Sequence, residues 1–359
     1  MIEIDGSFGE GGGQILRTAL ALSAILKRPF KIYNIRKGRK KPGLLAQHLT
    51  GVKAVAKITN AQVEGDKFNS LVLTFSPGEI SSGDYEFNVA EERGSAGATT
   101  LVAQSILPIL FFGKGKSTVR LSGGTHVPKS PIFDYLNEVL LPVIRNLGYD
   151  AEALIRRYGF YPVGGGEIII KSSAPIRNQS PFPINKSLKR GEARVLKIVS
   201  RVANLPLSIA ERQMRRTEEL LKDLSANSPS LRTEKIVDRV SANCPGTYLF
   251  IKAEFSNIIA GFSSLGERGK PAEKVAEEAV KEFLSYYESD AVFDPHLADQ
   301  ILLFLALSVG KKKENEISFT TSRITNHLIT NIWTIKKFLD ISIDLVGELG
   351  KRGEIRIKL

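Results

Sequence analysis

The feature that most constrains the fold is an order of strand and helix patterns that occurs three times along the chain. Residues 1–78 and 84–173 both follow the order βαβαββ, and residues from about 290 to 359 follow it again. Apolar residues recur at spacings of three and four in the helical stretches and nearly alternate in the strands. Because each unit could bury one sheet under two helices, three packed units predict a large domain of mixed α/β (α+β) class.

Residues 185–288 interrupt this order. They follow a junction rich in proline and asparagine, APIRNQSPFPINKS, which is typical of a linker. The stretch itself contains strand patterns such as ARVLKIVSRVA and TYLFIKAEF, and two helical patterns. We therefore predict a small α/β domain over 185–288, inserted into a large domain made of residues 1–184 and 289–359. One continuous larger fold is the alternative.

The charge and the cysteine count limit the function classes. A net charge of +12 favours a polyanionic partner such as nucleic acid, nucleotide or an anionic membrane, although a lysine-rich solvated surface is the alternative. Cys244 is the one cysteine, which excludes an internal disulfide and a cysteine metal cluster. Because no apolar run reaches membrane-spanning length and no signal pattern is present, we predict a cytoplasmic protein without a membrane partner.

A glycine-rich loop precedes the first helix in the stretch IDGSFGEGGGQILRTALALSAIL. Free backbone N–H groups at such a helix start can bind an anion. The pattern predicts Arg17 in the first helical turn, where a cation opposes the helix dipole unless an anion lies above it. Glu10 within the loop could hold a divalent metal through oxygen. A tight turn that requires glycine is the alternative interpretation.

A basic loop occupies the stretch NIRKGRKKPGLLAQHL, residues 34–49. The planar guanidinium of arginine matches phosphate oxygens with two hydrogen bonds, so this loop is a candidate phosphate site. A solvated basic loop is the alternative. Small residues also precede the helix that carries Gln104, and two further glycine stretches follow in LSGGTHVPKSP and YGFYPVGGGEI.

Among the four histidines, position separates a structural one from a chemical candidate. His48 lies within an apolar helix and is interpreted as structural, whereas His126 lies in a loop with no partner visible in the sequence. His296 and His327 each open a helical pattern. His327 falls off the apolar face, and the helix dipole favours the neutral imidazole that a nucleophile requires. A polar surface histidine near a helix cap is the alternative, and position alone favours that alternative.

Seven of these motifs together resemble one family, the RNA 3′-terminal phosphate cyclases. The motifs are DGSFGEGGGQILR, IRKGRKKPGLLAQHL, GSAGATTL, SGGT, GFYPVGGG, LADQ and NHLITN, and they span all three predicted units. The resemblance implies three βαβαββ repeats, similar to a domain of a translation initiation factor, with a small inserted α/β domain. It further implies use of ATP and a divalent metal, Mg²⁺ or Mn²⁺, on RNA with a 3′-phosphate end. It does not specify the oligomeric state.

The reaction that the resemblance implies has three steps. A histidine attacks the α-phosphorus of ATP and pyrophosphate leaves. AMP then passes from the histidine to the RNA 3′-phosphate. The vicinal 2′-hydroxyl finally displaces AMP and closes a 2′,3′-cyclic phosphate.

Residue roles follow from the resemblance position by position. His327 corresponds to the adenylated histidine and Glu10 to the metal-binding glutamate. The family's phosphate-handling positions correspond to Arg17, Arg36, Arg39 and Gln47. The positions of its nucleotide site correspond to His296, Pro131, Gln104, Asp299 and Gln300. Of these, His296 and Pro131 fall where the family holds the adenine. The sequence departs from the family at Tyr158, where a basic residue is frequent.

Three other functions remain open at this stage. A non-catalytic cyclase-like protein of ribosomal RNA processing would share the fold, but that branch lacks the nucleophilic histidine, which His327 supplies here. A basic RNA-binding module, whose glycine loops only accommodate backbone, would not become covalently labelled by ATP. An enolpyruvyl transferase also uses repeated βαβαββ units, but such chains usually need more of them than this sequence contains.

Overall fold

The structure is a computed structural model that describes residues 1–89, 96–173, 186–228, 230–309 and 316–359. Within these ranges the chain forms four four-stranded sheets covered by helices, which confirms the mixed α/β class. Residues 174–185 of the predicted linker, the lysine-rich run 310–315 and residues 90–95 lie outside the described residues. The predicted domain boundaries stay a prediction.

The first sheet carries the glycine-rich and basic loops between its elements. In chain order the elements are β1 (Ile2–Asp5), α1 (Gly13–Leu26), β2 (Phe30–Tyr33), α2 (Ala46–Thr59), β3 (Gln62–Glu64) and β4 (Leu73–Ser76). The strand order is β1-β2-β4-β3, with β1 and β2 parallel and the other pairs antiparallel. The β1–α1 loop and the β2–α2 loop therefore leave the sheet from adjacent parallel strands, at the same edge.

The second sheet has the same strand order. Its segment contains β5 (Asp84–Asn88), α3 (Thr99–Leu110), β6 (Ser117–Gly123), α4 (Phe133–Tyr135), a π-helical turn (Leu136–Leu140), α5 (Leu141–Arg145), β7 (Ala151–Arg157) and β8 (Gly166–Ser172). The strands run β5-β6-β8-β7, with β5 and β6 parallel. The sequence predicts one helix over SPIFDYLNEVLLPVIRNLG, whereas the structure widens its middle into a π-turn. Pro142 has no N–H to donate to residue 138, which favours the wider turn.

The next segment forms a sheet with a different order, β11-β10-β12-β13. Its elements, preceded by the short strand β9 (Lys186–Ser187), are β10 (Ala193–Ala203), α6 (Leu207–Leu220), α7 (Lys222–Asn227), β11 (Arg232–Arg239), β12 (Gly246–Phe255), β13 (Ile259–Leu265) and α8 (Ala272–Ser289). Helices α6 and α8 pack on each other and on this sheet. Strand β11 carries no strand signal in the sequence, because the edge strand RTEKIVDR is too polar to show an apolar alternation.

The last sheet completes the molecule and corrects one expected strand. It contains α9 (Pro295–Val309), β14 (Glu316–Thr321), α10 (Asn326–Phe338), β15 (Ser342–Gly347) and β16 (Gly353–Lys358), in the strand order β15-β16-β14-β9. The order βαβαββ over residues 290–359 predicts its first strand at AVFDP, but this stretch makes a single bridge from Phe293 to Thr321. Asp294 Oδ1 accepts the N–H groups of His296 and Leu297 and so starts α9 early.

Helix α1 lies at the centre of the site region. It packs against α2, α3 and α10, and its residues from Ile15 to Ala24 are almost all buried. A helix that is apolar all round must be covered on every side, which accounts for its many helical neighbours. Thr18 Oγ1 donates a hydrogen bond of 2.7 Å to Asn331 Oδ1 and so fixes α1 against α10. The start of α1 is thereby held next to the start of α10.

Candidate active site

The glycine-rich loop is folded against α10. Gly9 and Gly11 have φ of +56° and +57°, the left-handed region that glycine adopts without strain. A Cβ on Gly9 would lie 2.6 Å from Thr330 Oγ1, so no side chain fits there. Phe8 stacks on Trp333 with ring centroids 4.1 Å apart. These contacts bring Glu10 to the first turn of α10.

His327 is the second residue of α10 and faces Glu10. Its Nδ1 lies 3.0 Å from Glu10 Oε2, and its side chain is 45% exposed. The nearby carboxylate favours the tautomer with the proton on Nδ1, which leaves the lone pair of Nε2 available. Burial lowers the pKa of His327 below its usual value, and the cations Arg17 and Arg39 lower it further, whereas Glu10 opposes them. These effects together favour the neutral ring, in which Nε2 carries a lone pair.

Arg17 of α1 and Arg39 of the β2–α2 loop lie beside this pair. Arg39 contacts the other oxygen of Glu10, and its guanidinium lies against Gly12, where a Cβ would be 3.1 Å from Nη2. Because α1 begins at Gly13, Arg17 is the fifth residue of the helix. It therefore lies just beyond the first turn, in which the sequence pattern predicts it. Burial lowers the pKa of Arg17 to about 10, so the group remains a cation at neutral pH.

Arg36 lies close to Arg39, and His48 lies close to Arg36 and Arg17. Arg36 Nη1 donates to Gly43 O at 2.8 Å, and burial and the neighbouring Arg39 lower its pKa. His48 is buried, and its Nδ1 accepts the N–H of Leu45 at 3.2 Å. Burial lowers the pKa of His48 well below its usual value, and the adjacent Arg36 adds to this effect. His48 thus stays neutral beside the arginines.

Helices α1, α3, α9 and α10 enclose a cleft next to this cluster. Arg17, Gln104, Asp299 and Gln300 line it, along with apolar residues of α3 and α9. Gln104 Nε2 donates to Gln300 Oε1 at 2.8 Å, and Gln300 Nε2 donates to His296 O at 3.0 Å. His296 itself is exposed, and its ring is close enough to help lower the pKa of His327.

Asp299 connects the cleft to the start of α10. Thr325 Oγ1 donates to Asp299 Oδ1 at 2.8 Å and accepts the N–H of Leu328 at 2.9 Å, so it is the N-cap of α10. Asn331 Nδ2 donates to the carbonyl oxygen of Asp299 at 2.7 Å. Burial raises the pKa of the Asp299 carboxyl well above its usual value. The contacts of Asp299 therefore position the helix that carries His327.

Two of the candidate residues make their hydrogen bonds to the region around the start of α3. Gln47 Oε1 accepts the N–H of Ala98 at 3.2 Å, which joins the start of α2 to the start of α3. Pro131 accepts a hydrogen bond of 2.7 Å from Thr100 Oγ1 through its carbonyl oxygen, and it is not among the residues that line the cleft.

A buried polar network around Asp134 was not anticipated from the sequence. The sequence shows no partner for His126, and in the structure its Nε2 lies 2.8 Å from Asp134 Oδ2. Tyr248 of β12 donates to Asp134 Oδ1 at 3.1 Å. Arg201 of β10 donates to the hydroxyl of Tyr158 at 2.8 Å, so a basic group does reach the position where Tyr158 departs from the family. The network ties the 193–265 sheet to the rest of the chain.

A glycine-rich loop, a cluster of arginines and a histidine lie together here, an arrangement that can bind a phosphoryl or nucleotidyl group. Comparison with known proteins identifies the family. Residues 8–345 match the family model described as RNA 3′-terminal phosphate cyclase. The chain belongs to the RNA 3′-terminal phosphate cyclase family, which is a family of enzymes.

Curated relatives from bacteria and archaea are similar over nearly the whole chain. An RNA 3′-terminal phosphate cyclase of Methylococcus capsulatus is 43% identical over 99% of this chain and 96% of its own length. One of Sulfurisphaera tokodaii is 44% identical over 97% of both chains. One of Gloeothece citriformis is 42% identical over 96% of this chain and 95% of its own.

Among the described residues, no helix combines the length and apolar character that are needed to cross a membrane. The cytoplasmic location stays a prediction.

Proposed function

We propose that this chain converts the 3′-terminal phosphate of RNA to a 2′,3′-cyclic phosphodiester with ATP as the co-substrate. His327 Nε2 attacks the α-phosphorus, and the bond to pyrophosphate breaks. The AMP group then moves to the RNA 3′-phosphate and frees the histidine. The 2′-hydroxyl attacks the activated phosphorus, loses its proton and releases AMP.

The observation that carries the proposal is the contact of 3.0 Å between His327 Nδ1 and Glu10 Oε2. With its proton held on Nδ1, the ring offers Nε2 as a nucleophile without a separate general base. The lowered pKa of His327 keeps it neutral at pH 7. After attack through Nε2 the imidazole ring bears a positive charge, and the Glu10 carboxylate beside Nδ1 would stabilise it.

The arginine cluster supports binding of more than one phosphate. Arg17, Arg36 and Arg39 are brought together, and Glu10 is the carboxylate in contact with them through Arg39. This excess positive charge suits a triphosphate and an RNA 3′-phosphate. We assign Arg17 to the triphosphate. We assign Arg36, Arg39 and Gln47 to the RNA phosphate.

The cleft beside Arg17 supports binding of the nucleoside. Amide side chains such as those of Gln104 and Gln300 can donate to and accept from a base or a ribose. We assign these two residues to ATP, together with Asp299, His296 and Pro131. For Pro131 and the exposed His296 the assignment rests on the family resemblance, and both would contact the adenine from outside the cleft.

Glu10 fits the role of a ligand to Mg²⁺ or Mn²⁺. In the part of the chain that the structure describes, no group of three His, Cys, Asp or Glu could hold a metal by itself. A single carboxylate agrees with Mg²⁺, which binds one or two carboxylates and completes its shell with phosphate oxygens and water. When bound, the ion would neutralise charge on the triphosphate as pyrophosphate leaves.

Labelling with α-³²P-ATP tests the proposal. The wild-type protein should acquire an acid-labile label and His327→Ala should acquire none. His296→Ala, which loses a proposed adenine contact but keeps the nucleophile, should still be labelled at raised ATP concentration. Full labelling of His327→Ala would refute the nucleophile assignment. An absence of label on the wild-type protein would favour the alternative, a non-catalytic cyclase-like RNA-binding protein.

A further inference from the structure

We infer that a groove beside the basic loop binds the RNA nucleotides that precede the 3′-terminal phosphate. This inference rests on the proposed function and specifies where the rest of its substrate lies. The groove, called here the flanking groove, has a volume of about 570 Å³. It is lined by Lys40, Lys41, Pro42, Leu45, Phe68, Asn69 and Leu71.

The two loops that form the flanking groove are fixed to each other by backbone hydrogen bonds. The N–H of Ile35 donates to Leu71 O at 3.0 Å, and the N–H of Asn69 donates to Leu44 O at 2.8 Å. Gly43 has a φ of +75°, and a Cβ there would lie 2.3 Å from Asn69 O, so the loops meet at backbone contact distance. A groove built in this way is preformed and loses little freedom when a ligand binds.

The lining of the flanking groove matches single-stranded nucleic acid. Phe68 and Leu71 supply aromatic and apolar surface, and Leu71 is 41% exposed. Lys40 and Lys41 are exposed beside that surface, and the lining contains no Asp or Glu. Single strands bind by stacking bases on aromatic side chains while cations follow the phosphates. This recognition tolerates any base sequence, as a substrate defined only by its 3′ end requires.

The flanking groove and the proposed phosphate site share the loop between β2 and α2. Lys40 follows Arg39, which contacts Glu10, and Glu10 in turn lies 3.0 Å from His327. Arg36 holds the carbonyl oxygen of Gly43 on the same loop. An RNA whose terminal phosphate binds Arg36 and Arg39 therefore has its preceding nucleotides next to the groove. Lys40 and Lys41, which the proposed chemistry does not use, then bind internal phosphates.

Affinity measured against RNA length tests the inference without requiring turnover. A 5′-fluorescein decanucleotide with a 3′-phosphate is titrated by anisotropy, and a nucleoside 3′-monophosphate is used as competitor. The double variant Lys40→Ala/Lys41→Ala should bind the decanucleotide roughly tenfold more weakly. Its slope of log K against log salt should become shallower by about 1.4, since each phosphate contact to a single strand contributes about 0.7. Affinity for the monophosphate should change less than about twofold.

Matched variants separate the groove from general electrostatics and from misfolding. Lys222→Ala/Lys281→Ala removes the same charge from exposed positions elsewhere and should leave both affinities unchanged. Phe68→Ala should weaken decanucleotide binding roughly tenfold with an unchanged salt slope, and Phe68→Tyr should restore it. Leu71→Ser, at an exposed position, should weaken binding without affecting thermal unfolding.

Two results would overturn the inference. One is an equal loss of affinity for the decanucleotide and the monophosphate in Lys40→Ala/Lys41→Ala. The other is wild-type protein that binds the decanucleotide no more tightly than the monophosphate. Labelling by ATP is scored separately on the same variants and should be unchanged. A protein that binds long RNA through this groove but never becomes labelled would refute the proposed function and retain the groove.

Discussion

Replacing Thr325 by valine tests whether the start of α10 is held in place by the contact to Asp299. Valine keeps the shape of threonine but removes the hydroxyl that accepts from Leu328 N and donates to Asp299 Oδ1. Loss of an N-cap costs about 1 kcal/mol. Loss of a donor to a buried carboxyl costs about 1–3 kcal/mol. The free energy of unfolding of Thr325→Val should therefore fall by about 2–4 kcal/mol.

The assay is urea unfolding, paired with the rate of protein labelling by α-³²P-ATP. Thr325→Ser keeps the hydroxyl and should remain within about 0.5 kcal/mol of the wild type. Labelling of Thr325→Val should be slower, because a frayed first turn no longer holds His327 at a fixed position beside Glu10. A Thr325→Val protein as stable as the wild type would refute the energetic argument. A destabilised protein with an unchanged labelling rate would show that the cap does not position His327.

Three further predictions concern charge. The activity of Glu10→Gln should be partly rescued by raised Mn²⁺ and that of Arg17→Ala should not, because the carboxylate acts through the metal whereas the arginine holds phosphate directly. The rate of pyrophosphate release against metal concentration measures both variants, and equal rescue would contradict this division of roles. In metal-free, nucleotide-free protein the NMR titration midpoint of His327 should lie below 6.5, and it should fall further in Glu10→Gln, because that variant lacks the charge that raises the pKa of His327. A midpoint above 6.5 would show that burial and the nearby arginines do not lower the pKa of this ring. In urea unfolding, Asp134→Ala should lower the free energy of unfolding by about 3–5 kcal/mol, whereas Tyr248→Phe, which removes one hydrogen bond to that carboxylate, should lower it by about 1 kcal/mol. Equal losses in the two variants would refute the central role of the Asp134 carboxylate.

The sequence was sufficient for the mixed α/β class and for most elements, because their apolar periodicity reflects burial directly. It failed where a neighbouring element or a single polar contact decides the outcome. The strand β11 is polar and forms by pairing with β10, so its own residues carry little signal. The stretch AVFDP looks like a strand, but the Asp294 cap begins α9 there.

The candidate site residues could be proposed individually from the sequence, but their contacts could not. Glu10 and His327 lie near opposite ends of the chain, and only the packing of α1 on α10 brings them together. For His126 the sequence carried no useful signal, since its partners Asp134 and Thr125 are recognisable only once β6 and α4 are placed. How these side chains are placed relative to one another depends on tertiary contacts, which short-range sequence patterns do not encode.

The two helix starts at the site differ in a way that accounts for their separate roles. Helix α10 is capped by the side chain of Thr325, so its first turn is complete without a ligand and can hold His327 rigidly. Helix α1 begins after Gly12 with no side-chain cap and no acidic residue in its first turn, and Arg17 follows one turn later. Arg39 lies against Gly12 on the other side. The uncapped helix start and these two cations concentrate positive charge at one place, and the Glu10 carboxylate neutralises only part of it. A bound phosphate would neutralise the remainder, which accounts for a helix start that lacks both a cap and an acidic first turn.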